Sequence, residues 1–494
     1  MGLKPTLGIL VLAVCCSACT PLYVKNFRYE SFVREADFGK AEAFLDESKL
    51  YNRSKNRLIY LLEKAKVAYM DGDAERSNTL FNEADLLIED QQIDVAAEAL
   101  SMITNDEQRP YKAEDFEAVA IHFYKALNYL QLGQSEAALV EARRINLVLQ
   151  AISDKYPGHK NRYSSDALAH VLMGLIYESQ ADANNAFIAF RNAFELFDSN
   201  ENSYMGVDLP DQLKLDLLRS ARKSGFMQEY DFYLRKFGIQ EPVEDAPGGH
   251  LVFFWESGLG PVKSEWSLTF SILPLGGDQY QFVNADLGLA FPFTYESEKK
   301  KKAKEGEEED DESVDIRDVQ FVRAAFPKYV SRPDGLRGAH LRLDSASWSL
   351  SPIENYEYIA SRALRDRFLR EATRGLLRLA LKKVTELQLR KKDDTAGALA
   401  GLVNTLTEKA DTRNWQTLPA SISYCRIPLQ KGENSIVLQA EGPNGTLAPV
   451  EFQVNGTGRT VFLSYHSLPD LKSWSANKYY RALIDERPPS WQRR

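Results

Sequence analysis

The hydrophobic period of this 494-residue chain switches at residues 241–249, and that switch limits the fold more than any other feature. From Phe27 to Phe237 apolar residues recur every three and four positions, with Ala, Leu, Glu and Lys throughout, as in helices that each bury one face. Pro110, Pro157 and Pro210 fall where loops between helices belong. The run Glu241-Pro242-Val243-Glu244-Asp245-Ala246-Pro247-Gly248-Gly249 reads as a linker, and beyond it the period becomes two. Strands are expected at His250–Trp255, Glu265–Ile272, Tyr280–Val283, Leu287–Phe293, Ser421–Ile427, Ser435–Ala440, Ala448–Val454 and Arg459–Tyr465. A long helical pattern from Glu354 to Lys392, and a shorter one to Lys409, interrupts them. The expected architecture is α+β: an irregular helical-repeat domain over 27–240, then a β-rich domain over 250–470 carrying an inserted helical segment, 354–409. The linker implies that the halves are separable.

Composition agrees with a globular protein, at 44% hydrophobic and 27% charged residues. A net charge of −9 argues against a general nucleic-acid binder. One stretch is low in complexity. Lys299 to Lys304 is basic and Glu305 to Glu312 acidic, so 297–314 is expected to be a disordered charged loop. Its acidic half lacks the spacing and the glycine of a calcium-binding loop.

Three segments of the helical half superpose. Ala65, Ala68, Gly72, Ser77, Phe81 and Ala84 share their offsets with Ala126, Tyr129, Gly133, Ala138, Ala142 and Ile145, and with Gly174, Tyr177, Ala181, Ala186, Phe190 and Ala193. A weaker copy runs through Leu218, Ala221, Gly225, Tyr230 and Leu234. Small residues at helix contacts, with a small residue at the turn, resemble the tetratricopeptide repeat, a helix–turn–helix unit of 34 residues. Ala65, Ala126 and Gly174 stand 61 and 48 residues apart, so extra helices are expected between repeats, for example over Asp85 to Ser101, with an interrupted peptide groove. His122 and His170 occupy equivalent repeat positions and read as packing residues rather than as a metal pair.

The chain opens with Lys4, an apolar run from Leu7 to Val14, and Cys15-Cys16-Ser17-Ala18-Cys19. A basic start, a short apolar core and small residues before a cut make 1–18 an expected signal peptide. Cys16 to Cys19 resembles a bacterial lipobox, which implies that Cys19 is the acylated first residue of the mature chain. Thr20, rather than Asp, implies the outer membrane, facing the periplasm. Cleavage there would leave Cys425 as the one free thiol, in an alternating segment that reads as buried core.

Asp411-Thr412-Arg413-Asn414-Trp415-Gln416-Thr417-Leu418-Pro419 is an unusual run, as are Tyr129 to Gly133 leading into Glu141-Ala142-Arg143-Arg144, and Gly258 to Lys263. After a lipobox and in this order, they resemble a family of uncharacterised bacterial outer-membrane lipoproteins with an N-terminal tetratricopeptide-like half. The resemblance implies a cell-envelope lipoprotein, and the helical repeats, whose concave surfaces take partners, point to a non-enzymatic protein-binding adaptor or scaffold. It implies other envelope proteins as partners, attachment to the membrane through lipid, and peptidoglycan as a further candidate. The alternatives are an envelope enzyme acting on peptidoglycan or glycan, and a structural subunit of a secretion or surface-assembly complex. Within the family motif Asp411, Thr412, Arg413 and Trp415 read as structural: Asp and Arg tie an element end, and Trp415 plugs the core.

No nucleophile elbow, Walker loop, zinc-protease motif or paired-cysteine pattern occurs, so no catalytic residue, cofactor or metal is assigned. The long helical segment carries Arg367, Arg370, Arg374, Arg378 and Lys382 within about 60° on a helical wheel. Phe368, Leu369, Ala372, Leu376, Leu379, Ala380, Val384 and Leu387 lie on the opposite side. The apolar side is expected to pack on the β half, and the basic stripe to meet an acidic partner or an anionic surface.

Overall fold

The computed structural model describes residues 26–93, 109–154, 165–240, 246–296, 316, 319–332, 335–392, 409–442 and 445–468, without the side chains of 92–93, 369–370 and 388–392. The signal peptide 1–18, Cys19 and the charged loop 297–314 lie outside the described residues.

Two short helices, α1 (Phe27–Arg34) and α2 (Phe38–Glu47), precede four helical hairpins. These are α3 (Arg57–Met70) with α4 (Ala74–Ile93), α5 (Asp115–Gln131) with α6 (Ser135–Asp154), α7 (Ala167–Ser179) with α8 (Ala183–Asp198), and α9 (Asp211–Lys223) with α10 (Met227–Phe237). Local chemistry fixes their ends. Asp166 accepts a hydrogen bond from Ala169 N at 2.9 Å and Asp182 from Asn185 N at 3.1 Å, satisfying amides that helix starts leave open. Gly72, Gly133 and Gly225 turn three hairpins at φ of 84°, 72° and 75°; Ala181 makes the fourth turn at 62°, a region unfavourable to a side chain. The four superposed copies are therefore real hairpins, and the helical half is tetratricopeptide-like. Asp85, where an extra helix was expected to open, lies inside α4, a single 20-residue helix, and 94–108 lie outside the described residues.

Gly174 shows how closely a pair packs. A Cβ added there would come within 2.7 Å of the Phe190 ring. Gly174→Ala is expected to cost about 1–3 kcal/mol by overpacking, read from chemical denaturation; an unchanged midpoint would show that the ring moves aside freely.

The β-rich half holds three larger sheets among the described residues. The central one has the order β10 (Ser351–Asn355), β11 (Ser421–Pro428), β3 (Gly249–Ser257), β15 (Arg459–Ser467), with β15 parallel to β3. Val252, Phe254, Ile422 and Tyr424 on one face join the core of the helical half, whereas Leu251, Phe253, Trp255 and Cys425 on the other pack on a second sheet. That second sheet contains β8 (Gly338–Leu343), β9 (Ala346–Ser349), β12 (Gly432–Gly442), β13 (Gly445–Thr446) and β14 (Val450–Gly456). Every residue of β3 is buried because both its faces are covered. Cys425 is core, and burial pushes its thiol pKa up.

The third sheet, β6 (Leu289–Thr294), β5 (Gln279–Asn284), β4 (Val262–Gly276) and β7 (Phe321–Val330), packs on α11 (Tyr356–Lys392). Phe368, Ala372, Leu376, Ala380 and Val384 of α11 meet Trp266, Phe270, Phe291 and Phe326. The apolar side of the inserted helix thus lies where its periodicity places it. The side chain of Leu369 lies outside the described residues.

The halves do not have separate cores. One apolar cluster runs from Tyr29 through all four hairpins to Phe254, Ile353, Trp415 and Tyr424. Residues 241–249 mark a change of secondary structure, but the side chains on either side pack together. This shared core argues against the separability expected from linker composition.

Candidate functional site

The inner helices of the hairpins, α3, α5, α7 and α9, carry their polar groups to the seam with the β half. Lys66 of α3 is fully buried, forms an ion pair with Glu256 of β3, and lies over the Tyr69 and Tyr124 rings at 4.3 and 3.9 Å. Burial lowers its pKa to about 8 against the pull of Glu256. Glu256 also accepts from Tyr124 Oη at 2.8 Å. At the far end of the seam Arg426 of β11 joins Asp216 of α9 at 2.7 Å and Glu178 of α7 at 2.6 Å.

The Asp-Thr-Arg-Asn-Trp run is a latch across this seam. Trp415 is buried against Phe81 and Tyr124, its N–H donates to Glu117 Oε1 at 2.7 Å, and Nε1 donates to Thr417 Oγ1 at 3.0 Å. Gln416 N and Thr417 Oγ1 each donate to Glu63 at 2.7 Å. Arg413 pairs with Asp411 at 2.6 Å and donates to Asn56 Oδ1 at 2.9 Å and Arg109 O at 3.0 Å. Asp411 also accepts from Arg413 N at 3.0 Å. Thr412 sits between them, half-buried. The motif residues come together in structural roles, holding an extended segment by carboxylates on two inner helices.

Burial raises the Glu63 pKa to about 7, although Thr417, Gln416 and Tyr29 donate to it. A carboxyl raised above its ordinary value contributes stability that is full below about 4.5 and is lost as pH rises through about 7. Glu63→Gln fits the site, because Oε2 receives only the rotatable hydroxyls of Tyr29 and Thr417, which can accept from an amide instead. The variant is expected to lose less stability than the parent between pH 4.5 and 7.5 in paired denaturant titrations; parallel curves would sink this assignment. Glu117, raised to about 7 by burial and by Glu114, shifts both proteins alike, and so do His466 and His250, whose burial-lowered values act in the opposite direction.

The basic stripe is not one surface. Arg367 turns to the seam, where it and Lys263 pair with Glu114. Burial would raise Glu114, but these two cations hold it near 2. Arg367 is therefore half-buried, claimed by the carboxylate at the start of α5, which a wheel drawn for one helix cannot show. Arg374 is exposed, Arg378 and Lys382 are half-buried, and the side chain of Arg370 lies outside the described residues. His122 meets Glu141 at 2.8 Å in a group that includes Lys125 and Asp85, and His170 is about half-buried on α7.

A cavity of about 320 Å³ lies where the central sheet ends, between α1, α3, α5 and β15. Val33, Tyr69, Leu127, Phe462, Ser464 and His466 line it. Tyr69 Oη and Ser464 Oγ are hydrogen-bonded at 2.6 Å. His466 Nε2 donates to Gly258 O at 2.5 Å, so Nδ1 is the acceptor of a neutral ring. That nitrogen is buried without a hydrogen-bond partner, 3.7 Å from Glu256. At this cavity α3 and α5 meet a space beside the sheet. Sequence reasoning missed it, because α1, α3, α5 and β15 are remote in the chain. The alternation of Ser464 and His466 was the available signal.

No protein-family model matches the chain, and no curated protein does. Solved structures share part of it. The kinesin light chain nearly identical TPR-like repeats of Podosopora anserina match 44% of this chain and 92% of theirs, at 13% identity and a TM-score of 0.29. The apo form of RapI matches 43% of this chain and 68% of its own, at 17% identity and a TM-score of 0.30. The Rap conjugation gene regulator of plasmid pLS20, in complex with the Phr* peptide, matches 44% and 52%, at 14% identity and a TM-score of 0.25. At these scores the functional reading has to rest on this chain's own geometry: tetratricopeptide-like hairpins closed on a β-rich half, with one mixed polar and apolar cavity at the seam.

Proposed function

We propose that the protein is an envelope adaptor, held to the periplasmic face of the bacterial outer membrane by lipid on Cys19, that binds another envelope protein without catalysing a reaction on it. The observation supporting the binding role is the seam cavity, whose wall combines apolar side chains such as Val33, Leu127 and Phe462 with the polar Ser464 and His466. Its size is in the range of sites that take small ligands or side chains. The buried Lys66–Glu256 pair behind it fits a structural role, since neither side chain is exposed to touch a substrate. Arg374, Arg378 and Lys382 supply the basic side of α11, which in this reading faces an anionic surface such as headgroups or peptidoglycan.

The test has two arms. Cys19→Ala is expected to move the protein from the membrane to the soluble fraction, since each buried acyl methylene contributes about 0.8 kcal/mol; a variant that still sediments with membranes ends the anchor reading. Crosslinking in living cells is expected to trap stoichiometric envelope proteins. Release of soluble fragments from purified sacculi by the protein alone would replace the adaptor with an enzyme.

A further inference from the structure

We propose that residues 469–494 fold back on the protein and occupy the seam cavity, with Trp474 as the side chain that fills it. Such an occupant goes beyond the adaptor reading, within which it becomes the competitor that a partner displaces.

The wall of the cavity leaves apolar surface open. Phe38 and Met70 on the helical side, and Phe462, Tyr465 and Leu468 on the β side, line it and are only half-buried. Apolar side chains gathered at one concave place favour an occupant in proportion to the area it removes from water. The volume, about 320 Å³, accommodates a large aromatic side chain with the backbone that carries it.

The course of the chain selects the occupant. Leu468 is itself a lining residue and the last described one, and the sequence continues from it as Pro469-Asp470-Leu471-Lys472-Ser473-Trp474. Proline followed by aspartate is a dipeptide of chain reversal, because proline presets φ at the first corner and the aspartate side chain bonds nearby backbone at the second. Trp474 stands six residues past Leu468, a reach of roughly 20 Å when extended. A segment tethered this closely meets the cavity at an effective concentration on the order of millimolar. A separate polypeptide, whether a partner or a second copy, has to bind without that advantage.

Charge favours the same segment. Residues 469–494 contain six Lys and Arg against three Asp and Glu, a net +3 within a chain of net −9. Glu35, Asp71 and Asp73 are exposed beside the lining residues Ala36, Met70 and Gly72, so the rim is acidic. Arg34 on the wall is paired with Glu30, and Lys40 and Arg76 beyond the rim are paired with Asp37 and Glu42. Lys472 and Lys478 flank Trp474, which sets two cations at an acidic rim around a ring that enters an apolar wall.

The test is amide hydrogen exchange on residues 19–494 carrying Cys19→Ala, compared with the same chain ending at Leu468. Exchange at 69–72 and 460–468 is expected to be at least tenfold faster in the shortened chain, with α8 unchanged. A synthetic peptide of residues 469–494 is expected to restore the slow rates. Trp474→Ser, which alters the tail alone, is expected to speed the same amides at least threefold, and it decides the matter if the shortened chain fails to fold. Diluting the parent a hundredfold is expected to leave its rates unchanged. Equal rates in the parent, the shortened chain and Trp474→Ser overturn the inference. A faster shortened chain beside an unchanged Trp474→Ser overturns Trp474 as the filling residue. Rates that rise on dilution overturn the fold-back, because the occupant would then be the tail of a second copy. None of these measurements involves a partner, so a failure here leaves the adaptor reading to its crosslinks, and a failure of the crosslinks leaves the tail in place.

Discussion

Residues 27–240, expressed without the β-rich half, are expected to show no cooperative thermal transition and to bind hydrophobic dyes. The inner faces of α3, α5, α7 and α9 bury Leu62, Phe123, Tyr124 and Leu213 in a core completed by Phe254, Ile353, Trp415 and Tyr424. Removing the β half also takes Glu256 from Lys66, Arg426 from Glu178 and Asp216, and both Lys263 and Arg367 from Glu114. Breaking a buried pair costs about 3–5 kcal/mol, against a total stability of about 5–15 kcal/mol for a folded domain. Water reaching the bared face would relieve the charges, but only by wetting the aromatic residues between them. Circular dichroism with a thermal scan decides the matter. A sharp transition with full helical signal in the isolated fragment would mean that the hairpins are a self-sufficient domain and that the seam is a docking contact.

Lys66→Met is expected to lower stability by about 3–5 kcal/mol in denaturant titrations of the full chain. Methionine matches the length of lysine, so the variant tests charge rather than volume. It leaves Glu256 buried with only neutral donors such as Tyr124. Glu256→Gln in the same background is expected to recover a large part of the loss, because a neutral amide has no unpaired charge to bury. A double-mutant cycle yields the coupling directly. A single-variant cost below about 1 kcal/mol, or additive losses in the double variant, would show that the pair does not hold the seam. Cys19→Ala tests a feature outside this seam, so its outcome is independent of the pair.

The local elements were largely legible in the sequence, because their causes are local. Period 3.6 and small turn residues marked the hairpins, and Gly72, Gly133 and Gly225 are glycines at positions whose φ lies in the left-handed region. Period two marked β3, β11, β12 and β15 within a few residues. β7 to β10 were missed. In β7 the alternation is blurred by Ala324-Ala325 and Pro327, and β8 to β10 are short strands, of which β8 and β10 pair with the distant β12 and β11. The structural reading of Arg413 and Trp415 fits their positions, since an Asp and an Arg two residues apart satisfy each other before any partner is considered.

By itself, then, the sequence determined the helices of the hairpins and where they turn, the strands of clear alternation such as β3, β11, β12 and β15, and which side of α11 is apolar. Each of these depends on neighbours within a few residues. Tertiary structure alone decided that one core crosses residues 241–249, that Arg367 belongs to Glu114, that Lys66 meets Glu256, and that β15, last in its sheet among the described residues, lies beside a cavity. Each of those pairs residues separated by a hundred positions or more, and composition carries no record of which remote carboxylate a buried cation will meet.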